Sequence, residues 1–175
     1  MKSASQNPQL VNRGRYPAQL FLNVEIDFFE TYLSRIIGSE KSHAYRTVWA
    51  KVNGVKKDIT EDGQKSCSLF VSSILKIFDL STTVHTSVPG TVQDMEHSGW
   101  VKISRPKKGA IVTWSGVTYA DGLQHAHIGF VINAKEVISM SDKTRTPVRH
   151  PITFGPKGSK KYRPVFEIWW HPKLG

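Results

Sequence analysis

The feature that most constrains this chain is a change of hydrophobic period near residue 101. Before it, apolar residues recur at helical steps; after it, they alternate or run as strands do. From residue 20 to 37 the positions Leu22, Ile26, Phe29, Leu33, Ile36 and Ile37 predict an amphipathic helix stopped at Gly38. A second short helix is expected over 42–52, ending at Asn53-Gly54, with loop over 55–63. Then Cys67, Phe70, Val71, Ile74, Leu75 and Phe78 form one apolar stripe, with Ser66 as its N-cap. Val88-Pro89-Gly90 reads as a turn before a short helix over 92–97. Strands are predicted over 108–114, 125–133, 136–140 and 165–170, the last following a basic loop punctuated by Pro and Gly. Helices first and an antiparallel meander after them make an α+β protein. Residues 1–19 are expected to be a loosely ordered lead-in and 20–175 a single domain.

Composition matters here for what it excludes. Hydrophobic residues are 39% of the chain, with eight Phe, five Tyr and five Trp, which is too apolar for a wholly disordered protein. The strongest apolar run, 70–78, is interrupted by Ser72, Ser73 and Lys76 and falls short of a bilayer span. Net charge is +10. Its distribution is uneven: no acidic residue lies between Asp142 and Glu167, while Lys143, Arg145, Arg149, Lys157, Lys160, Lys161 and Arg163 do. A positive field of this kind attracts nucleic acid, anionic lipid or an anionic cell-wall polymer alike. The polar start of the chain has no apolar h-region, so it does not read as a secretory signal.

One cysteine, Cys67, excludes an intrachain disulfide and a cysteine-rich metal site. Its expected place is the first turn of a buried helix. There the helix N–H groups and dipole favour the thiolate, so a nucleophilic Cys67 is expected to be alkylated readily below pH 7. The alternative is a small core hydrophobe. A nucleophilic cysteine needs a histidine base. Of the seven histidines, His125 and His127 stand at the entry to a strand, Gln124-His125-Ala126-His127-Ile128-Gly129-Phe130. The pair also fits two ligands of a metal, although no third of suitable type lies nearby.

Three segments carry a resemblance. Ser66-Cys67-Ser68-Leu69-Phe70-Val71 resembles the Asp-Cys-Ser-Gly-Phe-Val helix start of NlpC/P60 cysteine peptidases, and His127-Ile128-Gly129-Phe130 resembles their His-Val-Gly-Ile strand. Between them, residues 106–114 are similar to the Pro-x-x-Gly-Asp-hydrophobic strand that NlpC/P60 and CHAP domains share. The likeness covers about residues 45 to 145 and implies a papain-like core. It further implies Cys67 as nucleophile, His127 as base, and hydrolysis of peptide or amide bonds, with peptidoglycan stem peptides as substrate class and no cofactor. The cell envelope or exterior would be its setting.

The third member of such a site, often His in the family, falls on Ser139 by position, with Asp142 the alternative by charge. Ser66 replaces the family's Asp, Leu69 its Gly, and Tyr45 is the one counterpart for its upstream Tyr. Two rivals stay open at this level: a nucleic-acid or anionic-surface binding module in which Cys67 is core, and an inactive papain-like binder.

Overall fold

The helix that carries Cys67 forms where its stripe predicts. In the computed structural model, which describes residues 24–118 and 124–175, α2 spans Cys67–Ile77. Phe70, Val71, Ile74 and Leu75 are completely buried. Each such side chain contributes about 1.5–3 kcal/mol over leaving it in water, which holds the helix rigidly against what lies below it.

That support is a six-stranded antiparallel sheet. Its strands are β3 (Val101–Lys102), β4 (Ile111–Thr118), β5 (Gln124–Val131), β6 (Glu136–Met140), β7 (Pro147–Pro151) and β8 (Val165–Trp170), in the order β3-β8-β4-β5-β6-β7. Strands β4 to β6 form the expected meander, β7 extends it, and the expected last strand, β8, returns to the other side of β4, pairing Ile168 with Val112. Two further helices, α1 (Phe28–Gly38) and α3 (Val88–His97), complete an α+β fold. Tyr32 and Phe70 meet Phe130 of β5 edge-on, with centroids 6.0 and 5.3 Å away. The Tyr32 hydroxyl donates to the Gly109 carbonyl at 3.0 Å. Among the described residues no helix is long and apolar enough to cross a membrane.

Several elements differ from expectation. The first helix begins only at Phe28, because Asp27 adopts an extended conformation and accepts the Glu30 N–H. Ile26 precedes it and is exposed, and the expected lead-in, residues 1–19, lies outside the described residues.

Residues 42–48 are turns, and 49–58 form a hairpin, β1 (Trp49–Val52) with β2 (Val55–Asp58), in place of helix and loop. Asn53 and Gly54 take φ of 52° and 81°, the left-handed pair that a two-residue hairpin turn requires. Val88-Pro89-Gly90 is the first turn of α3: Pro suits a helix start, and Ser87 Oγ accepts the Gly90 N–H. Strand β7 lies inside the segment read as basic loop.

Candidate active site

The turn before Cys67 is tightly tied. Asp62 bridges Arg46 (2.6 Å) and Arg145, joining this turn to the β6–β7 connection. Gly63 follows at φ 92°, where a Cβ would meet Arg145 and Arg46 at 3.1–3.3 Å. Ser66 is the N-cap residue, but its hydroxyl donates to the Gly63 carbonyl (2.9 Å) instead of capping the helix. The Ser66 side chain therefore caps none of the first N–H groups of α2.

Cys67 lies partly buried on a cavity of about 640 Å³ that Ser68, Gln64, His125, His127 and Asp142 also line. The Ile128 N–H, the Ser68 N–H and the Ser68 hydroxyl all favour its thiolate, as does the Arg163 charge. Burial outweighs them and pushes the thiol above its usual range. The lowered thiol expected from the helix start is therefore not found: desolvation exceeds what helix N–H groups supply.

His127 stands on the cavity face of β5, and Ile128, on the opposite face, is buried in the core. No hydrogen bond joins His127 to Cys67 among the described residues; the two side chains line the same cavity. The ring is held from behind, by Ser139 Oγ at 2.9 Å from Nε2. Burial first, then the Arg163 charge and the repulsion that a protonated His150 would exert, lower its pKa to about 3. Thiol and imidazole are both neutral at rest.

Of the two candidates for the third position, Ser139 is buried on β6 and bonded to His127. Asp142 is exposed on the cavity rim, beyond the end of that strand. Sequence reasoning missed what lies behind Ser139. Its Oγ also meets His150 Nε2 at 2.7 Å, and His150 Nδ1 lies 2.8 Å from the Pro151 carbonyl oxygen. Trp114 faces both imidazoles (5.4 and 5.8 Å), and Phe154 stacks on His150 at 4.1 Å. The two imidazoles, Phe154, Ser139 and Arg163 border a second cavity of about 320 Å³. The signal for His150 was Val148 and His150 between two prolines, a strand's alternation hidden by residues that disfavour strands.

The far wall of the larger cavity, which includes Thr86 to Pro89, hangs on Asp94. Its carboxylate accepts from Thr82 N–H (2.9 Å) and Thr83 N–H (3.0 Å) and lies 2.8 Å from His85 Nε2. Tyr45 packs edge-on against Phe70 at 5.0 Å. In the basic segment, Arg145 pairs with Asp62, Arg149 with Glu40 and Glu136, and Arg163 donates to the Ser115 and His125 carbonyls. Lys143, Lys157, Lys160 and Lys161 are exposed. Among the described residues no group of three or more His, Cys, Asp or Glu is arranged to hold a metal ion. Comparison of the chain with protein-family models and with curated proteins finds no match to either.

Proposed function

We propose that this chain is a cysteine hydrolase with a papain-like site of the NlpC/P60 kind, acting on peptide or amide bonds. The observation that carries the reading is the cavity lined by both a helix-start cysteine and a strand histidine, one nitrogen of which is tied to a neighbouring strand.

Because Nε2 is engaged by Ser139, Nδ1 is the nitrogen that serves as base. The Cys67 proton passes to Nδ1 as the sulfur attacks the carbonyl carbon. The developing oxyanion takes the Cys67 N–H, one of the uncapped amides of α2. Nδ1 then returns the proton to the leaving amine, and a water activated by the same nitrogen releases the acyl group. Since thiol and imidazole are neutral at rest, the proton passes from sulfur to Nδ1 as the sulfur attacks the carbonyl, and no free thiolate precedes that step.

Peptidoglycan stem peptides, in the cell envelope or outside the cell, are the substrate class. The exposed lysines of residues 143–161 favour contact with an anionic wall polymer. The test is digestion of purified peptidoglycan by wild type and by Cys67→Ala, with products identified by mass spectrometry. New muropeptides from the wild type alone are expected. Identical product patterns would remove the catalytic reading.

A further inference from the structure

We infer that His150 is a positioning residue which, anchored on the Pro151 carbonyl, sets the direction of the hydrogen bonds through Ser139 and so holds neutral His127 with its proton on Nε2 and its lone pair on Nδ1. The inference rests on the Cys67–His127 reading and adds to it the group that prepares the base.

Three contacts in a row fix where each proton lies. A carbonyl oxygen accepts and never donates, so the 2.8 Å contact between Pro151 O and His150 Nδ1 requires the proton on Nδ1. A neutral imidazole carries one N–H, so His150 Nε2 is then an acceptor. Its 2.7 Å partner, the Ser139 hydroxyl, therefore donates to it. That hydroxyl has a single proton, and at its 2.9 Å contact with His127 it can only accept. His127 must supply the proton from Nε2, which leaves Nδ1 unprotonated toward the cavity shared with Cys67.

The opposite direction fails. If Ser139 donated to His127, His150 would need protons on both nitrogens. A cationic ring would then sit half-buried between Trp114 and Phe154.

The direction matters to the proposed chemistry because only one tautomer works. With the proton on Nδ1, His127 presents an N–H to the thiol and cannot take its proton. With it on Nε2, the S–H bond breaks, a bond forms at Nδ1, and the electron pair stays on sulfur. The resulting imidazolium is a stronger donor to Ser139, whose hydroxyl polarises toward His150 in turn. Serine alone does not provide this, since a hydroxyl rotates and serves either tautomer. The pair Ser139–His150 does what one fixed acceptor would do.

The test reads tautomers directly and needs no substrate. Two-bond 1H–15N spectra of the 15N-labelled protein near pH 8, with His127 assigned by the signals lost in His127→Gln, distinguish pyrrole-type from pyridine-type nitrogens. In the wild type, Nε2 of His127 and Nδ1 of His150 are expected to be pyrrole-type. A pyrrole-type Nδ1 on His127 would overturn the inference outright, whatever the variants do. His150→Phe keeps the ring stack and removes the acceptor, so the His127 Nδ1 signal should shift toward the pyrrole-type position. His150→Gln, whose amide oxygen accepts from Ser139, should restore it. A His127 signal unchanged in His150→Phe would also overturn it.

On peptidoglycan, His150→Phe should be about 10-fold or more slower, with His150→Gln recovering most of the loss. A wild type that digests nothing while showing the expected tautomers would sink the proposed function and leave the hydrogen-bond direction standing.

Discussion

Gly129 and Ser139 are direct partners across β5 and β6, and a Cβ placed on Gly129 would stand 2.7 Å from the Ser139 Cβ and 2.8 Å from the Ile138 carbonyl oxygen. Real side chains do not approach so closely, so any other residue at 129 must push the two strands apart. His127 stands two residues before Gly129 on β5, and Ser139 is itself the other side of the contact. The glycine of the His-x-Gly segment is thus what allows Ser139 to reach the His127 ring.

Gly129→Ala is therefore expected to lower the unfolding free energy by about 1–3 kcal/mol, the usual effect of overpacking. Turnover should fall further than this loss explains under conditions where the variant stays folded. Urea unfolding alongside rate measurements checks both. A variant as active and as stable as wild type would mean the strands have room to spare.

Ser139→Ala should reduce turnover more than Asp142→Asn does. The serine is buried and bonded to His127, whereas the carboxylate is exposed at the rim. The reverse ranking, measured by muropeptide release, would move the orienting role to Asp142.

Alkylation of Cys67 by iodoacetamide should rise steadily with pH and show no plateau below neutrality, because burial raises the thiol and His127 is neutral. Mass-spectrometric rates between about pH 6 and pH 10 test this. A flat, fast reaction from the acid end would reveal a resting thiolate–imidazolium pair.

Acid should destabilise the fold through its buried imidazoles. His127 has a folded pKa near 3, far below that of an unfolded histidine, and His150 is lowered in the same direction, first by burial. Unfolded chains then bind protons that the folded state refuses, so stability is full above about pH 6.5 and falls as pH drops toward 3. His127→Gln should flatten that decline by a few kcal/mol, seen as a smaller drop in Tm between pH 6.5 and 4 than the wild type shows.

The parts of the fold legible in the sequence were those where one physical signal acted alone. The stripe from Cys67 to Phe78 had no competing reading, and the adjacent runs 125–133 and 136–140 read as neighbouring strands of a meander, which pair as β5 and β6. The errors came where one residue type serves two structures. Asn53-Gly54 ends helices and also turns hairpins; the left-handed pair of φ values, invisible in sequence, decided for the hairpin. Pro89 makes turns and also starts helices, and Ser87 beside it made it a start.

In the site, Cys67, His127 and Ser139 were reachable because each sits on a regular element with a countable register. His150 was not, since the strand that carries it is bounded by prolines and lies in what reads as a charged loop. The thiol's titration was misjudged for another reason. Helix N–H groups are visible in a sequence, but the depth at which the packed sheet buries the sulfur is not.

The strand that holds His150 is also the last in the sheet, and its outer side is closed. Pro147 and Pro151 bring no N–H to it, the Pro147 carbonyl accepts the Lys41 N–H (2.8 Å), and the Arg149 N–H donates to Glu40 (3.3 Å) just beyond α1. An extended peptide therefore finds no free ladder there to join, whether it comes from a substrate or from another copy of the chain. Strand addition, the commonest way a sheet captures a peptide or starts an aggregate, is shut off at the border nearest His150. A peptide reaching this histidine chain comes by way of the two cavities that border it, not along the edge of the sheet.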